Sequence, residues 1–150
     1  LEPRDIADSA EGMTEWLRAT HGVSGARFLN HSGLTDVTRI SASEMVQVLD
    51  IAAHGPLHGM LKPVNMQSVH DAGCKIVAKT GTLNFARGLA GYIDGPGGRR
   101  FAFAIFSADM DARAKAGSAE SPRGARTWLG RAKAQERALL ERWARTFVAA

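Results

Sequence analysis

Cysteine, long apolar runs and a start methionine are scarce or absent in this chain. The one cysteine, Cys74, excludes an internal disulfide, leaves the redox compartment open and reads as a small core residue. No apolar run approaches the length that crosses a bilayer, and the polar opening Leu1-Glu2-Pro3 is not a signal peptide. We therefore expect a piece of a longer protein, processed or trimmed, without a membrane span.

Metal-binding and cofactor-binding patterns are also lacking. Five histidines are scattered along the chain, and His54 and His58 are separated by Gly55-Pro56, which breaks the helix that would align them. No glycine-rich loop has the spacing that cradles a phosphate. We expect neither a metal nor a cofactor. With 150 residues, 45% of them hydrophobic, the chain suits one globular unit with a sizeable core.

The net charge of +4 comes from one end of the chain. Residues 123–150 carry +5 and the remainder carries −1. Recognition of nucleic acid would require basic side chains interleaved with stacking aromatics, or a known motif, and neither is present. We interpret the basic residues as the solvated face of an amphipathic helix, with contact to nucleic acid or anionic lipid as an alternative.

Caps and apolar periodicity predict two helices in the first half of the chain. The first spans residues 8–20, with Asp8 and Glu11 as a capping box and Trp16 as an anchor in the core. The second begins at Ser41, which has a glutamate three positions on, and ends at Gly55-Pro56. Residues 62–72 then read as a loop.

The second half alternates strand and turn signals before a long helix. Residues 75–79, 88–94 and 100–107 predict three strands, and the last is apolar on both faces, as in a strand covered on two sides. Residues 109–123 predict a mobile surface loop. Residues 125–149 predict the longest helix, with an apolar stripe towards the core.

We therefore predict an α/β fold in a single domain of residues 1–150. The three strands form an antiparallel sheet, packed by the helices 8–20 and 125–149. The helix from Ser41 is assigned to a neighbouring helical cluster beside a cleft. Gly88 and Gly91 suit a close approach of backbones within the sheet.

The chemistry of the chain is concentrated in Lys79-Thr80-Gly81-Thr82, at the predicted end of the first strand. Lysine brings positive charge to an anionic ligand, and the threonine hydroxyl can hydrogen-bond a carboxylate. Glycine lets a ligand lie close to the strand edge, where an extended ligand could pair as an added strand. The structural alternative is a buried strand that ends at a surface turn, and these residues alone do not exclude it.

The segment Asn30-His31-Ser32-Gly33-Leu34-Thr35 predicts a polar turn. His31 and Ser32 invite interpretation as a catalytic base and nucleophile. Adjacent residues of an extended chain point to opposite sides, which favours the turn.

Taken together and in this order, the motifs resemble the D-alanyl-D-alanine carboxypeptidase/endopeptidase family of the penicillin-binding protein 4 type (peptidase family S13). The resemblance covers roughly residues 8–108. It rests on the Asn30–Thr35 segment, the Ser-Ala-Ser-Glu helix start, Lys79-Thr80-Gly81-Thr82-Leu83, and Leu89-Ala90-Gly91-Tyr92-Ile93 followed by the strand to Phe106. In this chain Asn30-His31 replaces the more common Asp-Gly. The resemblance implies the C-terminal part of a penicillin-binding or serine β-lactamase-like transpeptidase domain.

Family members act through a serine acyl-enzyme, with Ser-x-x-Lys supplying nucleophile and base and Ser-x-Asn aiding proton transfer. Neither motif occurs among the nine serines of this chain, and in the family both lie upstream. The resemblance implies that Lys79 brings charge to the substrate carboxylate and the serine, Thr80 hydrogen-bonds the carboxylate, Gly81 keeps the edge open, and Thr82 donates a backbone N–H to the oxyanion hole.

The implied substrates are peptidoglycan stem peptides ending in D-Ala-D-Ala, with β-lactams as their mimics, and the implied compartment is the periplasm. On this hypothesis the chain is the substrate-docking half of the enzyme, inactive without the N-terminal part of the same protein. The alternative is a non-catalytic module that binds cell-wall peptide or a protein partner.

Overall fold

A four-stranded antiparallel sheet lies at the centre of the chain, in the order β1-β2-β3-β4. The structure, a computed structural model, describes residues 4–148 except Leu34 and Asp36. The strands are β1 Lys62–Pro63, β2 Lys75–Leu83, β3 Ala86–Asp94 and β4 Arg100–Ala108. The helices are α1 Ile6–His21, α2 Ala42–Ile51, α3 Leu57–Met60, α4 Gln67–Asp71, α5 Met110–Ala116 and α6 Ala125–Trp143, and α6 continues as a π-helical turn over Ala144–Val148. The α/β class and the antiparallel sheet are as predicted.

Strands β2 and β3 are longer than the sequence pattern indicates. They pair without interruption from Lys75 with Asp94 to Leu83 with Ala86, so the Lys79–Thr82 segment lies inside β2 and not at its end. The connection is the two-residue turn Asn84-Phe85, in which Phe85 has a φ of 56°. No glycine marks this turn, which is why the pattern placed the strand ends too early.

One face of the sheet packs against α4 and α6 and forms the main core. Alternate residues of β2, β3 and β4 point to this face, as the period of a strand requires. The buried cluster comprises Met66, Val69, Cys74, Ile76, Ala78, Leu89, Ile93, Phe103, Ile105, Leu140 and Ala144. Cys74 is thus a core residue, as expected. Gly91 also points here, and a Cβ at this position would lie 2.0 Å from the Val77 carbonyl oxygen, which confirms the expected close approach.

The helix on the opposite face is α2, and not α1 as predicted. Helix α2 lies against β4 and β3, whose half-buried Ala90, Ala102 and Ala104 leave room for it. The hydroxyl of the buried Tyr92 donates a 2.5 Å hydrogen bond to the Leu49 carbonyl, which ties α2 to this face. The prediction that the Ser41 helix lies in a separate cluster is therefore wrong.

Helix α1 belongs instead to a small second cluster, in which Leu17, Val23 and Ala26 are buried. Its cap also differs from the prediction: the carboxylate of Asp5, and not Asp8, accepts the hydrogen bond that begins the helix, at 2.8 Å from the Asp8 N–H. Trp16 is 54% exposed and is not an anchor in the core.

Two segments that were predicted to be loops contain regular secondary structure. Residues 62–72 include β1 and α4, and residues 109–123 include α5, whose first turn is capped by the Asp109 side chain. Arg27 and Arg39 pair in a single isolated antiparallel bridge. The predicted helix end at Ala149 and Leu34 of the turn lie outside the described residues.

Candidate functional site

The outer edge of β2 is covered for only part of its length. Strand β1 pairs with it at two positions, Lys62 with Ala78 and Pro63 with Val77. From Lys79 to Leu83 no strand of the described residues pairs with this edge. The Lys79–Thr82 segment therefore lies in a strand that is paired on its inner side and free on its outer side.

Strand geometry determines which backbone groups point to the free edge. The Val64 N–H donates to the Ile76 carbonyl, so Ile76 directs its backbone groups outward. Because every second residue of an antiparallel strand does the same, Thr80 and Thr82 present N–H and C=O groups to the unpaired edge. These are the groups that an added extended chain needs for pairing.

Lys79 and Gly81 occupy the sheet face that carries α2, while the side chains of Thr80 and Thr82 start from the α6 face. All four residues are exposed. The Lys79 ammonium donates a 2.6 Å hydrogen bond to the carbonyl of Thr80, so its charge lies at the free edge. A Cβ on Gly81 would meet nothing within 4 Å, so the space beside this residue is open.

A groove of about 470 Å³ contains all four residues. Gly88 and Phe106, which follow Gly81 across the sheet, contribute to its floor. Ser32 and Gly33 of the Asn30–Thr35 turn contribute a wall, together with Thr38, which follows the turn in the chain. The structure thus brings residues of the Asn30–Thr35 segment to the same groove as Lys79–Thr82.

The turn is shaped by Asn30, whose side-chain oxygen accepts from the Gly33 N–H at 2.9 Å and from the Ser32 hydroxyl at 3.3 Å. Side chains of Asn commonly form such turns, and Gly33 has the positive φ of 69° that favours glycine. His31 is exposed and is not among the described residues that line the groove. Residues Asn30–Gly33 therefore form a turn, as predicted for this part of the segment.

A buried ion pair lies beneath the strand and was missed in the sequence. Arg87 donates two hydrogen bonds to the Glu136 carboxylate, at 2.9 and 3.0 Å, and a third of 2.7 Å to the Thr82 hydroxyl. The side chains of Arg87 and Glu136 are only 10% and 5% exposed. The available signal was the helical spacing of Glu136, which lies four residues from both Ala132 and Leu140 on the buried side of α6.

This network fixes the far side of the site. Arg87 holds the hydroxyl of Thr82, whose backbone N–H and C=O point to the free edge. The same arginine connects β3 to α6, so the strand end cannot shift without disturbing a desolvated charge pair.

A second cluster of charged groups lies at the opposite end of β3. The Asp94 carboxylate is 2.8 Å from His58 Nε2 and accepts a 2.6 Å hydrogen bond from Arg100. Burial raises the pKa of Asp94, but the hydrogen bonds from Arg100 and His58 outweigh burial and hold this pKa below its usual value. Arg100 also donates to the Ala53 carbonyl, so the cluster joins the end of α2 to the β3–β4 hairpin.

A larger groove, of about 730 Å³, runs between β4 and α6 past Asp109, Asp111 and Arg131. None of the residues Lys79–Thr82 lines this larger groove, and we select the smaller groove because these four residues have the chemistry to bind a ligand. Among residues 4–148 without 34 and 36, no group of three or more histidine, cysteine, aspartate or glutamate side chains could hold a metal ion. Within that same part of the chain, no helix has both the length and the apolar character that crossing a bilayer requires.

Two comparisons with known proteins bear on the identity of the chain. No curated protein matches it. The model of the D-Ala-D-Ala carboxypeptidase 3 (S13) family matches residues 2–123, which include the turn, α2, the whole sheet and α5. This family acts on peptidoglycan through serine-type carboxypeptidase chemistry, which indicates an extracytoplasmic location. Since the match covers most of the chain, the chain belongs to the D-Ala-D-Ala carboxypeptidase 3 (S13) family.

Proposed function

We propose that this chain is the substrate-docking half of a serine-type D-Ala-D-Ala carboxypeptidase/endopeptidase. The nucleophilic serine and its lysine base come from a part of the protein outside these 150 residues, because neither Ser-x-x-Lys nor Ser-x-Asn occurs within them. The substrates are peptidoglycan stem peptides that end in D-Ala-D-Ala, and β-lactams act as their mimics. The compartment we propose is the periplasm.

The observation that carries this proposal is the unpaired edge of β2 from Lys79 to Leu83. An extended peptide can pair there with the outward N–H groups of Thr80 and Thr82 and with the Thr82 carbonyl, since Lys79 occupies the carbonyl of Thr80. Affinity then comes from backbone hydrogen bonds, and the direction of the peptide is set by charge. The Lys79 ammonium, held at the same edge, attracts the terminal carboxylate of an acyl-D-alanine tail.

Each of the four residues has a distinct role in this proposal. Lys79 supplies positive charge near the carboxylate and the serine, and the Thr80 hydroxyl hydrogen-bonds that carboxylate. Gly81 keeps the groove open, in agreement with the empty space around it. Thr82 donates its N–H to the oxyanion that forms during acyl transfer, with the second donor expected from the serine itself.

The test is acylation of the longer protein that contains this chain by a fluorescent penicillin. We expect the wild type to be labelled and Lys79→Ala to lose labelling. Lys75→Ala is the matched control, since Lys75 is an exposed lysine on the same face of β2, outside the groove. Labelling that survives Lys79→Ala undiminished would contradict the assigned site, and an unlabelled wild type would contradict the enzyme.

The second candidate is a non-catalytic module that binds cell-wall peptide or a protein partner. The absence of the nucleophile motif from the 150 residues favours it. In that case the longer protein also lacks an upstream Ser-x-x-Lys, and it binds a D-Ala-D-Ala peptide in a Lys79-dependent way without becoming acylated. The same set of variants therefore separates the two candidates.

A further inference from the structure

Thr38 carries the one buried side-chain oxygen or nitrogen of the described residues that has no hydrogen-bond partner. Its hydroxyl oxygen is closed off from solvent, although the residue as a whole is only half-buried. Buried hydroxyl groups in folded proteins nearly always have a partner, because leaving one unpaired destabilises the folded state. An exception of this kind requires a physical explanation.

The position of Thr38 provides one. The residue lines the same groove as Lys79, Thr80, Gly81 and Thr82 and forms one wall of it together with Ser32 and Gly33. The chain around it is held in place: the backbones of Arg27 and Arg39 exchange hydrogen bonds of 2.7 and 2.9 Å. The Arg39 side chain also donates to the Thr38 carbonyl at 2.9 Å. Thr38 is therefore part of a wall that these hydrogen bonds hold in place, although its hydroxyl oxygen is enclosed in the free protein.

A peptide ligand paired with β2 would need a second hydrogen-bonding group on the wall of the groove opposite this strand. In an extended peptide, alternate residues direct their backbone groups to opposite sides. The backbone groups of one set of residues would pair with Thr80 and Thr82 at the free edge. The backbone groups of the other set would point away from β2, towards the wall of the groove. Each group left without a partner there would lower affinity.

We propose that Thr38 is a further substrate-binding residue, whose hydroxyl hydrogen-bonds the peptide backbone of the acyl-D-alanine ligand. In this proposal a rotation about χ1 turns the hydroxyl from its enclosed position towards the ligand when the ligand binds. The hydroxyl is unpaired in the free protein and paired in the complex. The free energy that the unpaired hydroxyl costs the free protein is therefore recovered on binding. This inference rests on the proposed function, since it takes its ligand from it.

The test uses Thr38→Val, which replaces the hydroxyl with a methyl group of similar shape, in the longer protein that contains this chain. We expect kcat/KM for release of the terminal residue from a D-Ala-D-Ala peptide to fall by about three- to tenfold, the range of one neutral hydrogen bond. The loss should lie mainly in KM, because the contact is made with bound substrate as well as in the transition state. The Tm of the free protein should rise, because an unpaired buried hydroxyl is removed.

Thr38→Ser, which keeps the hydroxyl, should retain most of the wild-type KM. Thr20→Val, at an exposed position on α1, should change neither quantity. A kcat/KM for Thr38→Val within twofold of wild type, or a lower Tm, would overturn the inference. If either of these outcomes occurs while Lys79→Ala is inactive, the inference about Thr38 fails but the proposed function stands. If Lys79→Ala is as active as wild type, or the wild type is inactive, both fail.

Discussion

Two glycines on neighbouring strands show how differently the same residue type can act. Gly91 lies on the core face of β3, where an added Cβ would also come within 2.6 Å of the Ala78 Cα. Gly81 lies on the opposite face of β2, with open space where its Cβ would be. Gly91 is thus required by packing between strands, whereas the structure places no packing demand on Gly81.

The first prediction concerns this contrast. Gly91→Ala should destabilise the chain by about 1–3 kcal/mol or more, because the new methyl group meets the backbone of β2, which cannot move aside as a side chain can. Gly81→Ala should leave stability nearly unchanged. Urea unfolding of both variants and the wild type checks this, and equal losses at the two positions would contradict the geometry.

Gly81→Val serves as a functional companion to that experiment. Its branched side chain should fill the groove beside the free edge, so penicillin acylation of the longer protein should fall sharply while its Tm stays close to wild type. A variant that is acylated at the wild-type rate would show that the ligand does not lie against Gly81.

At the scale of elements, the chemistry that we propose for Lys79–Thr82 can be predicted from its residue types, whereas the elements that surround this segment cannot. The Lys79–Thr82 motif carries its chemistry in its residue types, and Ser41 with Glu44 forms the capping box that was predicted. The exchange of α1 for α2 could not be foreseen, because both helices are amphipathic. Only the fit of α2 against the small side chains of β3 and β4 decides which helix covers the sheet.

The ion pair between β3 and α6 was hidden for a related reason. Glu136 lies in a helix with a strongly basic exposed face, and its partner is 49 residues away in the chain. Periodicity identifies the buried side of a helix but does not identify a distant partner. The unpaired hydroxyl of Thr38 was hidden in the same way, since its significance depends on a wall and a strand that meet only in the folded chain.

The second prediction follows from that ion pair. Glu136→Gln should lower the free energy of unfolding by about 3–5 kcal/mol, because Arg87 then remains buried without its counter-charge. The double variant Arg87→Met with Glu136→Leu should recover much of this loss. Chemical denaturation provides the measurement.

Arg18→Met is the matched control for this series. It removes an arginine that pairs with Glu15 on the surface of α1, where both side chains are more than half exposed, and it should change stability little. A loss for Glu136→Gln no larger than that of the control would show that the charges of the buried pair contribute nothing.

At the scale of the whole molecule, charged side chains connect helices to the sheet at places where the apolar core does not. The cluster of Asp94, His58 and Arg100 connects the end of α2 and α3 to the β3–β4 hairpin, at the end of the sheet away from the groove. Since α2 covers one face of the sheet, this cluster helps to keep the two-sided arrangement together. Its contribution depends on the charge of Asp94.

The third prediction is the resulting dependence of stability on pH. The pKa of Asp94 is lower in the folded chain than its usual 3.8, so its ionised form stabilises the fold at pH values above about 4. This contribution should be lost as the pH falls through the lower, folded pKa. Asp94→Asn should therefore lower Tm at pH 7, and its Tm should approach that of the wild type under strongly acidic conditions.

Thermal unfolding of both proteins from pH 7 to pH 2 provides the measurement, with Glu120→Gln, which alters an exposed carboxylate, as the control. A difference in Tm between wild type and Asp94→Asn that stays constant across this range would contradict the linkage to the Asp94 charge.

The brevity of β1 has a consequence for how copies of the chain behave in solution. A strand edge with free N–H and C=O groups is a template for edge-to-edge aggregation, and lysine on such an edge is a common protection against it. Lys79 brings a charge to the unprotected stretch and also occupies the Thr80 carbonyl. Two copies that approached through this edge would bring their ammonium groups together, so the residue that receives an anionic ligand also keeps identical strands apart.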